Sequence, residues 1–246
     1  MELNILFPVY NEKLRLEQGI CKTVEFMDLW MKGRYELTIV DNASTDDTPK
    51  IADDLCRKYE QVHFKRLKEK GVGAAFRAGV ADNKAPIVGY MDVDLSTDLR
   101  HLKQVWKIFQ TRPDVEIVNG SRWNKRSHTS GRKWYRIITS HGLTALLKMS
   151  LGLKATDAIC GFKFFRKSTV QDLISEAGSA ENGWFYIIEL LLRAERRGIK
   201  VAELPVRWQD DYHSTVNVWQ QITNDCIQIM KLRKKFKKEE KAAVKR

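Results

Sequence analysis

The sequence has little of what marks secreted, membrane-spanning or repetitive proteins. Its four cysteines lie far apart and form no C-x-x-C pair, so neither a disulfide framework nor a zinc site is indicated. No stretch reaches the ~20 apolar residues of a membrane span, and the N-terminus becomes polar too early for a secretory signal peptide. With only five prolines and no low-complexity tract in 246 residues, we expect one large α/β domain, soluble or peripheral to a membrane, in a reducing compartment.

The positive charge is concentrated at one end of the chain. The formal net charge is +12, and residues 231–246 contain nine lysines and arginines against two glutamates. Such a tail suits nucleic acid, an anionic membrane surface or simply solvent. Phe236 is its only aromatic residue and no recognised nucleic-acid motif is present, so we expect no nucleic-acid partner. A basic nucleic-acid-binding protein is the non-enzymatic alternative.

Strand, loop and helix alternate four times in the first half of the chain. The apolar runs that predict these four strands occupy residues 3–9, 36–40, 62–67 and 87–91. Apolar residues at helical spacing follow each run, which indicates a parallel sheet with right-handed crossovers. Later strands are predicted at 115–118, 161–165 and 201–208, and a long helix from about residue 215 runs into the basic tail.

Two carboxylates follow the fourth predicted strand directly. Asp92 and Asp94 are two positions apart, with Ser96 behind them. The carboxyl end of a parallel strand is where ligands bind in such sheets, and Asp-x-Asp offers hard oxygen ligands. This pattern predicts a site for Mg²⁺ or Mn²⁺, ions that keep substrate phosphates in their remaining coordination positions.

Three further loops are expected at the same edge of the sheet. They contain Tyr10-Asn11-Glu12, Asp41-Asn42 and the glycines Gly71 and Gly73. Acidic and amide side chains suit a base and a ribose, and glycines allow close approach of the backbone to a ligand. Phe76 breaks the G-x-G-x-x-G pattern and no G-K-[ST] occurs, so a nucleotide is expected by neither the dinucleotide nor the P-loop route.

Cations that could hold a second phosphate come later in the chain. They are Arg122, Arg132, Arg136, Lys163 and, more weakly, Arg207. Arginine matches phosphate oxygens bidentately, so the sequence suggests two phosphorylated substrates, one bound through a metal and one through arginines. The basic amphipathic segment at about residues 133–153 is either a core helix or a helix in a membrane interface.

Six motifs in order resemble a known family. They are PVYNE at 8–12, VDNASTDDT at 40–48, EKGVGAAFRAG at 69–79, MDVDLS at 91–96, GSR at 120–122 and DAICGFK at 157–163. Together they resemble the inverting family-2 glycosyltransferases of GT-A fold, over residues 3–220. The closest likeness is to polyprenyl-phosphate glycosyltransferases: the dolichyl-phosphate mannose and glucose synthases and bacterial undecaprenyl-phosphate relatives. CGFK, NGWFYIIELL and AELPVRW favour the glucose branch.

The resemblance implies roles for individual residues. Contacts to the nucleotide are implied for Pro8, Tyr10, Glu12, Asp41, Gly73 and Asp92. Asp92 and Asp94 would hold Mg²⁺ or Mn²⁺, with Ser96 as a third ligand. Residues near the two phosphates or the reacting sugar are Asp94, Arg122, Arg136, Asp157 and Lys163. Asp157 either orients a substrate or caps the turn after the amphipathic segment.

Four departures from the family pattern leave details open. Asn42 stands where Asp is usual, Ala43 where Gly is usual, and Asp98-Leu99 where Pro-Pro is frequent. The run at 210–215 lacks the Gly-Ser-Lys that is usual in the loop that closes over the site in this family.

The resemblance implies an α/β GT-A domain at residues 1–212, followed by a C-terminal helix and tail at 213–246. It implies transfer of a hexose, with inversion, to dolichyl or undecaprenyl phosphate at the cytoplasmic face of a membrane. UDP-glucose is the first expected donor, ahead of GDP-mannose and UDP-N-acetylhexosamine. Membrane contact would be peripheral or through a small membrane-protein partner. The alternatives are a GT-A enzyme with a polysaccharide or other non-lipid acceptor and, more distantly, a nucleotidyltransferase.

Overall fold

The computed structural model describes residues 1–210 and 218–244, and a seven-stranded sheet forms its centre. Its strands are β1 Leu3–Val9, β2 Tyr35–Asp41, β3 Val62–Arg66, β4 Ile87–Met91, β5 Ile117–Ser121, β7 Phe162–Arg166 and β8 Val201–Pro205; the short strand β6, His128–Ser130, lies outside this sheet. The order of the strands across the sheet is β3-β2-β1-β4-β7-β5-β8. Only β7 runs antiparallel to its neighbours, so the predicted, mostly parallel sheet is confirmed.

Eight helices are described. They are α1 Leu16–Met31, α2 Thr48–Lys58, α3 Val72–Asp82, α4 His101–Thr111, α5 Trp134–Leu151, α6 Lys167–Ala177, α7 Phe185–Arg196 and α8 Val218–Val244. Helices α1, α2 and α4 pack on one face of the sheet, where Leu3, Ile5 and Phe7 of β1 point. Helices α3, α6 and α7 cover the other face, against Leu6 of β1. The alternation along β1 therefore builds a three-layer sandwich.

Helix α5 lies outside this sandwich and packs with α7 and α8. Its Leu147 and Leu151 are buried in a third apolar cluster with Ile229, Leu232 and Phe236 of α8. Within the described residues, none of the helices combines the length and apolarity that crossing a bilayer requires. The predicted start of the last helix, at residue 215, and the predicted domain boundary at 212/213 lie outside the described residues.

The last predicted strand, 201–208, is wrong as a single element. Strand β8 ends at Pro205, and a separate strand β9, Arg207–Gln209, pairs with β6, His128–Ser130, in a small second sheet. The reason is that β5, the partner of β8, ends at Ser121, so the chain has no strand left to pair with. The ladder with β8 also extends the predicted strand 115–118 through Gly120 and Ser121.

Candidate active site

Three loops at the carboxyl edge of the sheet carry backbone in the left-handed region. Asn11 follows β1, Ala43 follows β2 and Leu95 follows β4, with φ angles of 55°, 61° and 55°. Within the described residues, no other non-glycine residue has a positive φ. Such conformations cost free energy and persist where the surrounding structure enforces them, often at functional sites. The positive φ at Ala43 explains why the family pattern has glycine at this position, since glycine adopts such an angle without steric cost.

Hydrogen bonds fasten the loops after β1 and β2 to each other. The Ser44 hydroxyl accepts the Asn11 N–H at 2.9 Å, and the Thr48 hydroxyl accepts the Glu12 N–H at 2.8 Å. In return, the Asn11 Oδ1 accepts the Thr45 N–H at 2.9 Å. The Ser and Thr residues of the VDNASTDDT motif therefore shape this loop pair.

A cavity of about 380 Å³ opens beside the end of β2. Its lining residues are Ala43, Arg66, Leu67 and Lys68. The Asp41 carboxylate is fully buried next to it, accepts the Ser44 N–H and pairs with Arg66 Nε at 3.3 Å. Arg66 Nη2 also donates to the Ser44 carbonyl at 3.0 Å. Asp41 therefore holds Arg66, which lines the cavity, in place. Contact of Asp41 with a base remains a prediction.

The other predicted nucleotide contacts from β1 are near the same edge. Tyr10 lies under the Lys70 ammonium, which is 3.6 Å from the centre of its ring. The Glu12 carboxylate pairs with Arg15 at 2.6 Å. Pro8 lies in β1 opposite Val40 of β2. The nucleotide-binding roles of Pro8, Tyr10 and Glu12 remain predictions.

Gly71 and Gly73 approach another loop of the protein. A Cβ at Gly71 would lie 2.4 Å from the Asn182 carbonyl oxygen, and one at Gly73 would lie 2.5 Å from the Tyr186 Cβ. The Gly73 N–H donates to the Asn182 carbonyl at 2.8 Å. Close packing between α3 and the start of α7 accounts for both glycines, whereas nucleotide contact by Gly73 remains a prediction.

The two carboxylates after β4 form the acidic part of the site. Burial, and then the negative charge of Asp94, raise the pKa of Asp92 to about 8; Arg122 and Lys163 act in the opposite direction. Asp92 packs so tightly on Gly161 that a Cβ there would lie 2.0 Å from Asp92 Oδ2. At Asp92, burial and the charge of Asp94 outweigh the nearby cations, so a bound cation would stabilise the charged form of this carboxylate. Carboxylate oxygens are the ligands that hard divalent cations prefer, so this donor set fits Mg²⁺ or Mn²⁺.

Asp94 and Asp98 both make hydrogen bonds within the segment that follows β4. Asp94 Oδ1 accepts the Ser96 N–H at 2.9 Å, which orients the Asp94 carboxylate. Ser96 is buried, and its role as a third ligand remains a prediction. Asp98 accepts the Arg100 N–H at 2.9 Å and pairs with the Arg100 guanidinium, so it is not directed at this site. In the described part of the chain, no three His, Cys, Asp or Glu side chains cluster as metal ligands, so a cation here needs further ligands.

Arg122 and Asp157 form a buried, bidentate ion pair. Arg122 Nε and Nη2 lie 2.7 and 2.9 Å from the two carboxylate oxygens, and Asp157 also accepts the backbone N–H groups of Arg122, Ile159 and Cys160. Burial raises the pKa of Asp157, but Arg122 outweighs this effect and holds it below the usual value. Asp157 therefore caps the turn that follows it and fixes Arg122, whereas its role in orienting a substrate remains a prediction.

Lys163 lies inside the sheet on β7. It is fully buried, and its Nζ donates to the Cys160 carbonyl at 2.5 Å. Burial lowers the pKa of Lys163. The positive charge of Lys163 acts to lower the pKa of Asp92 and of Asp157.

A second group of cations surrounds Asp210. Arg132 Nη1 and Arg136 Nη1 lie 3.4 and 3.8 Å from its carboxylate, and Trp208 Nε1 donates to it at 2.6 Å. Arg132 also stacks on Trp123, with its Cζ 5.4 Å from the ring centre. The structure thus brings Arg132 and Arg136 together; Arg207 is exposed on β9 and lies near His101.

Sequence reasoning missed three residues here: Trp123, Gly161 and Asp210. Gly161 lies inside the DAICGFK motif, so the motif marked it without showing that Asp92 packs on it. Asp210 contacts Arg132 across 78 positions of sequence, a separation that no local pattern signals. The rest of the 210–215 run lies outside the described residues.

The outer face of α5 carries a stripe of exposed apolar side chains. Trp134, Ile138 and Met149 are 72, 61 and 80% exposed, and their spacing places them on one side of the helix. The opposite side is buried against α7 and α8. The two interpretations of this segment were a core helix and a helix in a membrane interface. The buried face of α5 fits the first, and the exposed apolar face fits the second.

The chain belongs to the glycosyl transferase family 2, because residues 4–174 match the model of that family. It is a glycosyltransferase, and this predicted enzyme class is confirmed.

Relatives of known name sharpen this class. The chain is 28% identical over 233 residues to the glycosyltransferase AglD of Haloferax volcanii, a match that covers 94% of the chain and 37% of AglD. It is 27% identical over 221 residues to the human dolichyl-phosphate beta-glucosyltransferase, covering 85% of the chain and 68% of that protein. The resemblance to polyprenyl-phosphate glycosyltransferases is confirmed. The chain spans little more than a third of AglD and about two thirds of the human protein.

Solved structures confirm the GT-A fold. Glucosyl-3-phosphoglycerate synthase from Mycobacterium tuberculosis, in complex with Mn²⁺ and UDP-glucose, superposes with a TM-score of 0.70. The sequence identity is 16%, and the match covers 94% of this chain and 78% of the synthase. At this identity the likeness concerns the fold.

Proposed function

We propose that this glycosyltransferase transfers a hexose from a nucleoside-diphosphate sugar, with UDP-glucose as the first candidate, to a polyprenyl phosphate with inversion. The observation that carries the proposal is the presence of two oppositely charged sites. One is the carboxylate pair Asp92 and Asp94; the other, the cationic group, consists of Arg122, Arg132 and Arg136. Asp92 packs on Gly161, and the preceding Cys160 donates its N–H to Asp157, the partner of Arg122, so the two sites are adjacent. The names of the dolichyl-phosphate relatives support the acceptor.

The donor side would bind the nucleotide at the loops after β1, β2 and β4. The cavity beside Asp41 is the candidate for the base, and Arg66 and Lys68 on its wall can donate hydrogen bonds to carbonyl oxygens such as those of uracil. Tyr10 and Glu12 extend this surface toward a ribose. Solved complexes of glucosyl-3-phosphoglycerate synthase that contain UDP with Mn²⁺ or Mg²⁺ support a uridine donor and a divalent cation.

Asp92 and Asp94 would hold the cation, which when bound neutralises charge that develops on the leaving diphosphate. Asp157 fixes the orientation of Arg122, whose positive charge would lie beside the diphosphate. The acceptor phosphate is already an anion near neutral pH, so it needs no strong general base. One of its oxygens attacks C1 of the sugar as the C1–oxygen bond to the diphosphate breaks on the opposite face, which inverts the anomeric centre.

The apolar stripe on α5 would seat the enzyme on an anionic lipid surface. Lys133, which directly precedes this helix, and Lys148 on it are exposed, and Ile227 and Met230 are exposed on the neighbouring α8. An apolar face bordered by lysines suits the boundary between headgroups and acyl chains. The four cysteines are free, which agrees with the cytoplasmic face of a membrane. A small membrane-protein partner is the alternative means of attachment.

The central test uses labelled UDP-glucose, GDP-mannose and UDP-N-acetylglucosamine with polyprenyl phosphate, Mg²⁺ or Mn²⁺ and vesicles. We expect label in the lipid fraction from one donor, a loss of at least about a hundredfold on Asp94→Ala, and loss on chelation of the metal. Asp98→Ala is the matched control, because that carboxylate is bound to Arg100, and it should retain most activity. Label only in free sugar or a soluble product would refute the polyprenyl-phosphate acceptor.

Flotation with vesicles rich in anionic lipid tests the membrane surface. Ile138→Glu and Met149→Glu should each reduce co-flotation, because they place a charge in the apolar stripe. Leu29→Glu is the control, since Leu29 is 79% exposed on α1, in the sandwich. Equal flotation of all three variants and the unaltered protein would contradict the assignment of this surface.

A further inference from the structure

Trp123 lies at the centre of the cationic group without belonging to any motif. Its ring centre is 5.5 Å from the Cζ of Arg122, 5.4 Å from the Cζ of Arg132 and 4.1 Å from the ring centre of His141 on α5. Trp123 therefore links the loop after β5 to the approach to α5. A tryptophan face attracts guanidinium groups, which explains how two arginines are held close together.

Three buried donors in this group have no acceptor. They are the Trp123 Nε1–H, the Arg132 Nε–H and the Arg136 Nε–H. The Arg132 side chain is only 9% exposed. A buried donor without a partner is unfavourable, so three within one group of contacting residues indicate an acceptor that binds there.

The charge of the group also calls for an anion. Asp157 is saturated by Arg122 and three backbone N–H groups. Asp210 is held by Trp208 at 2.6 Å and lies at the longer distances of 3.4 and 3.8 Å from Arg132 and Arg136. Burial and the neighbouring Arg122 lower the pKa of Arg132 to about 10. Two guanidinium groups thus share one weakly placed carboxylate.

We infer that Trp123 and Arg132 complete, with Arg136, a binding site for a phosphate monoester, with Trp123 donating through Nε1 and Arg132 through Nε. The inference rests on the proposed function, in which this phosphate is the headgroup of the acceptor. Free inorganic phosphate offers the same oxygens, and the test separates the two sources.

The test compares Trp123→Phe, which keeps an aromatic ring and removes the N–H, with Trp30→Phe. Trp30 lies on α1 and also has a buried Nε1 without an acceptor, so it controls for removal of such a donor elsewhere. We expect Trp123→Phe to raise the KM for polyprenyl phosphate about fivefold to tenfold, with the KM for the nucleotide sugar unchanged. Trp30→Phe should change neither.

Arg132→Lys is the second variant, and Arg126→Lys, exposed in the loop between β5 and β6, is its control. Lysine retains the charge but loses the planar set of donors, so the affinity for farnesyl phosphate in calorimetric titration should fall about tenfold or more. Inorganic phosphate is titrated in parallel. Weakening of farnesyl phosphate alone identifies the lipid headgroup, and equal weakening of both ligands identifies a site for phosphate in general.

These outcomes separate the inference from the proposed function. If the unaltered enzyme transfers sugar to polyprenyl phosphate while Trp123→Phe and Arg132→Lys keep its acceptor KM and its farnesyl phosphate affinity, the inference is overturned and the function stands. If the unaltered enzyme transfers no sugar to lipid, the proposed function falls. The titrations then decide alone, and weaker phosphate binding in both variants supports the site.

Discussion

The two halves of the active site are built in different ways. The acidic half, at the ends of β1, β2 and β4, consists of loops held in place by hydrogen bonds from backbone N–H groups and by left-handed backbone at Asn11, Ala43 and Leu95. The cationic half consists of charged side chains that pair with each other, such as Arg122 with Asp157 and Arg132 with Asp210. Because an unpaired buried charge costs more free energy than a lost hydrogen bond, we expect the loss of one contact to destabilise the cationic half more than the acidic half.

The sharpest test of this difference is Asp157→Ala. It leaves the buried Arg122 guanidinium without its counter-ion, so we expect a loss of about 3–5 kcal/mol in the free energy of unfolding and no transferase activity. Asp114→Ala breaks an exposed pair with Arg112 and should cost less than about 1 kcal/mol in the same urea titration. Similar losses in the two variants would break the comparison.

Gly161→Ala tests how the cationic half reaches the acidic one, because Gly161 precedes β7 and touches Asp92. A Cβ there collides with the Asp92 carboxylate, so the variant should lose about 1–3 kcal/mol of stability and bind Mn²⁺ more weakly. Gly142→Ala on α5 is the control, since a Cβ there meets no atom within 4 Å, and its stability should rise slightly. Unaltered Mn²⁺ affinity in Gly161→Ala would show that Asp92 is not a ligand.

Ser44→Ala tests the acidic half by itself. It removes the acceptor of the Asn11 N–H and should cost about 1 kcal/mol in stability. We expect a higher KM for the nucleotide sugar and an unchanged KM for the acceptor phosphate. A change in the acceptor KM instead would show that the two halves are coupled through this loop.

Ala43→Gly has the smallest expected effect. Glycine adopts a φ of 61° without the steric cost that alanine has, but it also loses more entropy on folding. The net result should be a gain of less than about 1 kcal/mol, measured as a small rise in the urea midpoint. A loss of stability would mean that the Ala43 methyl group makes a contact that outweighs its strained backbone.

Prediction from the sequence succeeded where a short continuous segment contains both a secondary-structure element and the side chains of the site. The apolar runs gave the four parallel strands, and the DVDLS segment gave both the end of β4 and the carboxylate pair. It failed where pairing partners decide, as at residues 201–208, whose division into β8 and β9 depends on where β5 ends. The ion pair of Asp157 with Arg122 was not predicted for the same reason, since it joins residues 35 positions apart.

By itself, the sequence determined the alternating α/β order, the Asp-x-Asp pair after β4 and the resemblance that the family match confirms. These properties follow from periodicity and from neighbours along the chain. Only the tertiary structure decided that Trp123 joins two arginines, that Gly161 makes room for Asp92, and that α5 buries one face and exposes another. Such facts depend on burial and on distances between residues far apart in sequence, which local patterns do not encode.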